Sequence, residues 1–144
     1  MSNLIVVIAT LILVSICVSL HYEVLNRCNR LVAFLDHRRR RRMVALIFLI
    51  LATHVIEIWF FAIGYAVLLD YGLGSLDGLP IEGFTDYAYY SAMVYTTVGF
   101  GDIVPDGPIR LLSGMEGLTG LVMITWSASF TFLYMQRYWG PESD

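Results

Sequence analysis

The run TTVGFGD, Thr96 to Asp102, offers chemistry through its backbone rather than its side chains. Gly99 and Gly101 permit backbone conformations closed to other residues. Interleaved with Thr97, Val98 and Phe100, they allow successive carbonyls to turn to one side. A row of carbonyl oxygens facing an axis is what a dehydrated cation requires. A second reactive group is Glu57, with His54 one helical turn earlier. Both fall in an apolar tract, where an ionised side chain costs roughly 2.5–3.5 kcal/mol. Glu57 is therefore expected to be protonated, paired or turned from lipid. Two roles suit it. One is a proton-sensitive gate in which His54 titrates near neutral pH. The other, preferred here, is interhelical glue, with Glu57 bonding His54, Thr10 or Ser15. Cys17 and Cys28 are read as packing residues, and they show no metal-ligand spacing. No Ser/His/Asp, Cys/His or paired-carboxylate arrangement lies in a soluble segment long enough to build a site, so neither an enzyme nor an organic cofactor is expected.

The elements that position these residues follow from the chain's oiliness. Hydrophobic residues make up 58% of 144, charged residues 15%, and mean hydropathy is +0.69. A soluble domain is nearer half apolar and a quarter charged. Three tracts hold most of the apolar residues: Leu4 to Leu20, Met43 to Leu69 and Leu111 to Met135. A membrane-spanning helix needs about 17–25 residues, so the first tract is at the short end and the others suffice. The first tract lacks the basic flank and the small-residue cleavage site of a signal peptide. The expected fold is an all-α membrane protein with three transmembrane helices.

Arginine sets the orientation. Arg27, Arg30 and Arg38 to Arg42 lie between the first two tracts, whereas residues 70–110 carry six acids against Arg110, a net −5. The positive-inside rule places the N-terminus outside, the arginine segment in the cytoplasm, the acidic segment outside and the C-terminal tail inside. A plasma (inner) membrane location and multi-pass topology are expected. Arg38, Arg39, Arg40, Arg41 and Arg42 are contiguous, so they form no membrane-embedded voltage-sensing stripe. They suit anionic lipid better than nucleic acid. His21, Val24, Leu25, Cys28, Leu31, Val32 and Leu35 fall at helical spacing. Either the first helix continues into the cytoplasm or an interfacial helix follows it.

Between the second and third tracts, DYGLGSLDGLPIEGF reads as a loop and TDYAYYSAMVYT as a short helix capped by Thr85 or Asp86. Twelve residues of helix cover about 18 Å, roughly half a membrane. The chain must then return outward, because the next span begins near Leu111. TTVGFGD therefore sits at the inner end of a re-entrant helix. Irregular backbone is tolerated at that depth only where protein buries it or where it lines a watery path.

With TTVGFGD, the preceding TDYAYYSAMVYT, the following IVP and two flanking spans, about two-thirds of the chain resembles the two-helix pore module of potassium channels. It resembles small bacterial members that lack a large cytosolic sensor, with one extra N-terminal helix. The resemblance divides the chain into 1–42 (extra helix and Arg-rich linker), 43–135 (pore module) and 136–144 (tail). It implies a selectivity filter in which K+ is held by Thr97, Val98, Gly99 and Phe100, with Gly101 turning the chain outward and Asp102 at the outer mouth. Four such loops surround an ion, so a homotetramer is implied. Around the filter, the resemblance assigns support to Tyr89, Tyr90, Ser91, Met93 and Glu116. The hydroxyls of Tyr89 and Tyr90 are expected to reach Asp102, and Glu116 is expected to bond Ser91 or the short helix's backbone. Gly120 matches the family's inner-helix hinge, with Gly117 as a substitute; close packing is the equal alternative for a membrane glycine. Ile124, Ala128 and Phe132, at i, i+4 and i+8, would line the cavity.

Two departures stand out. Phe100 replaces the usual tyrosine, and Met93 stands where some members place a glutamate paired with the filter's aspartate. Both remove braces, so faster filter inactivation is expected. Two other functions compete: a non-selective cation channel and a non-conducting accessory subunit.

Overall fold

The computed structural model describes residues 2–33 and 39–139. Four helices and one small ribbon follow in order: α1 (Ser2–Ala33), α2 (Arg39–Asp70), β1 (Ser75–Gly78), α3 (Phe84–Tyr95), β2 (Ile103–Asp106) and α4 (Arg110–Trp139), with a single 3-10 turn before α4. Three stretches are long and apolar enough to cross a membrane: Ser2–Cys28 in α1, Arg41–Asp70 in α2, and Gly107–Gln136, which takes in the 3-10 turn and most of α4. The protein is thus an all-α multi-pass membrane protein.

The first helix does not stop at Leu20. Its 32 residues reach about 48 Å, well beyond the ~30 Å hydrocarbon core. Of the two expectations for residues after 20, continuation of one helix is the observed one, since no Gly or Pro interrupts the run. One stripe of α1 is buried: Val6, Thr10, Cys17, His21, Leu25 and Cys28. These recur every three, four or seven residues, so they share a face. That face packs on α2 and α4. The opposite face, with Leu4, Ile8, Leu11 and Ile12, is exposed, as a lipid-facing surface must be. Both cysteines are buried and free.

The arginine run is helical from Arg39, so the expected borders at 42/43 and 135/136 fall inside α2 and α4. Arg38 and residues 140–144 lie outside the described residues. The spans of α1, α2 and α4 have mean hydropathies of 2.7, 2.3 and 1.4. The last is lowest because α4 carries Glu116, Thr119, Thr125, Ser127, Ser129 and Thr131.

The helix α3 has the expected length of 12 residues but starts at Phe84. Neither Thr85 nor Asp86 is its cap residue; Gly83 is, in extended conformation. Asp86 acts from the third helical position, where its Oδ2 accepts from the N–H groups of Glu82 (2.7 Å) and Gly83 (3.0 Å). An acid there also complements the positive helix end. The segment expected to be all loop contains a strand. β1 pairs antiparallel with β2, register Gly78↔Ile103 to Ser75↔Asp106. Four-residue strands with a glycine and a proline carry too little periodicity to announce themselves.

Candidate functional site

At the end of α3 the chain folds back on the helix it has just left. Thr96 N–H donates to Ala92 O (3.1 Å), Thr97 N–H to Val94 O (2.9 Å) and Gly99 N–H to Met93 O (3.1 Å). The φ angles of Thr97, Gly99 and Gly101 are +60°, +51° and +78°, while Val98 and Phe100 between them are not positive. Every second residue is therefore left-handed. Such alternation is what turns successive carbonyls to one side. For the two glycines it is free of steric cost; for β-branched Thr97 it costs about 1–3 kcal/mol and persists only where the surroundings over-determine it. The three backbone bonds to α3 supply that constraint. In the single chain, Val98 is 54% and Phe100 70% exposed.

The C-terminal end of the run is tied at Asp102. Tyr89 donates its hydroxyl to Asp102 Oδ2 at 2.6 Å. That bond holds the Tyr89 phenol above its ordinary value, so it remains a donor. Oδ1 accepts from Ile103 N–H at 3.1 Å, and Leu79 N–H bonds the Asp102 carbonyl at 3.1 Å. Tyr90 does not join them. Its hydroxyl bonds Ser113 on α4 at 2.8 Å, and its ring packs edge-on to Tyr65 of α2. Adjacent helical residues point about 100° apart, so 89 and 90 cannot both face the run's exit. Met93 contributes its carbonyl to Gly99.

Behind α3 lies Glu116, fully buried. It is hydrogen-bonded to Ser91 of α3 and accepts the Tyr65 hydroxyl of α2 at 2.5 Å. The expected partner Ser91 is there; Tyr65 is an addition the sequence did not signal.

Below α3 lies Glu57, also fully buried. Its Oε1 is 2.9 Å from His21 Nδ1; its Oε2 is 3.1 Å from His54 Nδ1 and accepts the Tyr95 hydroxyl at 2.5 Å. Ser127 Oγ lies 3.1 Å from His21 Nε2 and 3.2 Å from His54 Nε2. Four helices meet here. Of the expected partners only His54 is present. Thr10 and Ser15 instead spend their hydroxyls on their own helix, at Val6 O and Leu11 O. In the sequence His21 stands out only as one member of a helical series. An imidazole in phase with Cys17 and Cys28 on an otherwise apolar stripe was the available signal.

Ile124, Ala128 and Phe132 line one cavity of about 610 Å³ together with His54, Tyr95 and Thr96. Gly120 lies outside it, against α3: a Cβ there would stand 2.0 Å from the Tyr95 carbonyl oxygen. Close packing therefore accounts for Gly120. Gly117 has Val94 O at an ordinary 3.5 Å.

A family model described as "Ion channel" matches residues 43–137, about two-thirds of the chain. No curated protein and no solved structure matches the chain.

Proposed function

The chain belongs to the ion channel family, and we propose that within it the protein is a potassium-selective pore. The observation that carries this reading is the alternation of φ signs through Thr97–Gly101 at the end of a 12-residue helix held between two spanning helices. The backbone carbonyls of Thr97, Val98, Gly99 and Phe100 replace the hydration shell of K+. Gly101 turns the strand out to Asp102, which Tyr89 holds at the outer mouth. Such a filter needs four strands around one axis, so the active form is a homotetramer. The exposed side chains of Val98 and Phe100 support it, since in one chain they lack the packing partners that neighbouring subunits supply.

In this arrangement α2, α3 and α4 form the pore module and α1 stands as its extra helix. The cavity lined by Ile124, Ala128 and Phe132 opens below the filter toward the inner gate. The six acids of residues 70–110 lie at the outer entrance and concentrate cations there. Arg38 to Arg42 lie on the cytoplasmic side, against anionic lipid. Ions pass down their gradient with no covalent step.

The test is a reversal potential from tag-free protein reconstituted alone in bilayers with opposed potassium and sodium gradients. A potential near the potassium value supports the proposal. A potential near zero assigns a non-selective cation channel, and absence of flux assigns a non-conducting subunit.

A further inference from the structure

We propose that His21, His54 and Glu57 form a binding site for one divalent transition-metal ion of the zinc class, seated where α1 meets α2. The three side chains offer two imidazole nitrogens and a carboxylate oxygen, all within 4.8 Å of one another. A tetrahedral zinc ion with bonds of about 2.0–2.1 Å sets its ligand atoms about 3.3 Å apart. His21 Nδ1 lies 2.9 Å from Glu57 Oε1 and His54 Nδ1 3.1 Å from Glu57 Oε2, each close to that spacing, so both carboxylate oxygens are within reach of the ion. Tyr95 stands at the fourth corner, its hydroxyl 2.5 Å from Glu57 Oε2 and 3.0 Å from His54 Nδ1. Two nitrogens with one or two hard oxygens suit zinc better than magnesium or calcium, which demand all-oxygen shells.

The surroundings are those of a ligand set. A metal-bound imidazole donates its other N–H to a fixed acceptor, which orients the ring. Here both Nε2 atoms face one acceptor, Ser127 Oγ, at 3.1 and 3.2 Å. A serine oxygen has two lone pairs and accepts both. Its own hydrogen then turns to a carbonyl of its helix, as the hydroxyls of Thr125 and Ser129 already do.

Six contacts join the cluster: His21–Glu57, His54–Glu57, Tyr95–Glu57, Tyr95–His54, Ser127–His21 and Ser127–His54. On binding, each imidazole turns Nδ1 to the ion and carries its hydrogen on Nε2 toward Ser127, and the Tyr95 hydroxyl proton leaves to water, so that a dication with one carboxylate and one phenolate is neutral. An entry path exists, because His54, Tyr95 and Ser127 line the cavity and His54 is 13% exposed. The bound ion would pin α1 to α2 and to the last residue of α3. Binding itself does not depend on the potassium reading, so the two stand or fall separately.

The experiment uses tag-free full-length protein in detergent, stripped with chelator, on a His37→Ala background that removes the chain's remaining histidine. Equilibrium dialysis against Zn2+ with elemental analysis should find about one ion per chain. Co2+ in its place should give the intense visible bands of a four-coordinate site. His21→Ala and His54→Ala should each weaken retention at least about tenfold, and Ser127→Ala, which touches only the orienting contact, about tenfold. Should the histidine variants fail to fold, the unchanged protein still decides: Zn2+ should raise its unfolding temperature and equimolar Mg2+ should not. Zinc retention equal in the parent and the histidine variants overturns the site, as does a pale six-coordinate Co2+ spectrum or an unfolding temperature indifferent to zinc.

Discussion

Two buried carboxyls hold the short helix, and they do so with different chemistry. Glu116 grips Ser91 one turn before the end of α3, and Glu57 grips Tyr95 at its last residue. Around Glu116 the partners are hydroxyls, and each has a second acceptor within reach. Ser91 Oγ lies 2.8 Å from Ile58 O, and Tyr65 lies 3.1 Å from Ser113. Around Glu57 the partners include two imidazoles from different helices, and His21 Nδ1 has only the carboxylate. The Glu116 site is a redundant hydroxyl network joining α2, α3 and α4. The Glu57 site is a polar cluster that joins α1 to the other three helices. A buried donor stripped of its only acceptor costs more than one that can turn elsewhere.

The largest expected effect tests this directly. Glu57→Ala strands His21 at Nδ1 and leaves His54 Nδ1 only the Tyr95 hydroxyl, and it should cost about 2–3 kcal/mol, whereas Glu116→Ala should cost about 1–2 kcal/mol. Thermal unfolding in detergent ranks the two, and a reversed order would break the comparison. Next is the far side of Tyr95. Gly120→Ala forces a methyl against the Tyr95 carbonyl and should cost about 1–3 kcal/mol, with Gly117→Ala close to neutral. If Gly120→Ala leaves stability intact but alters gating in single-channel records, Gly120 is a hinge after all. The smallest effect is at Asp102, to which α3 is tied by an exposed bond. Tyr89→Phe should leave the fold unchanged and shorten open times roughly threefold to tenfold, the scale of one hydrogen bond. Long uninterrupted openings in the parent protein at steady potassium would contradict the expectation of a weakly braced filter.

Much of the architecture was legible because the membrane imposes coarse rules. Span length and a helix too short to cross are local properties, readable without neighbours. The short helix lies one residue earlier than expected at both ends, Phe84–Tyr95 against 85–96, and its cap is Gly83 because Asp86 acts from the third helical position. The ribbon between β1 and β2 was illegible, because its pairing joins residues about 30 apart with no alternating pattern. Tyr90 was misdirected for a different reason. Two adjacent tyrosines look equivalent in sequence, and only the helix's rotation sends one to Asp102 and the other to Ser113.

What the sequence by itself determined is the class, the spans and the glycine spacing that lets Thr97 to Gly101 alternate in handedness. These depend on composition, hydropathy and steric freedom within a few residues. Tertiary structure alone decided who partners whom in the low-dielectric interior. His21, Glu57, Tyr95 and Ser127 come from four helices and are up to 106 residues apart, His21 to Ser127. No spacing rule links them. They meet because a buried polar group must find a partner, and the crossing of the helices determines which partners are in reach.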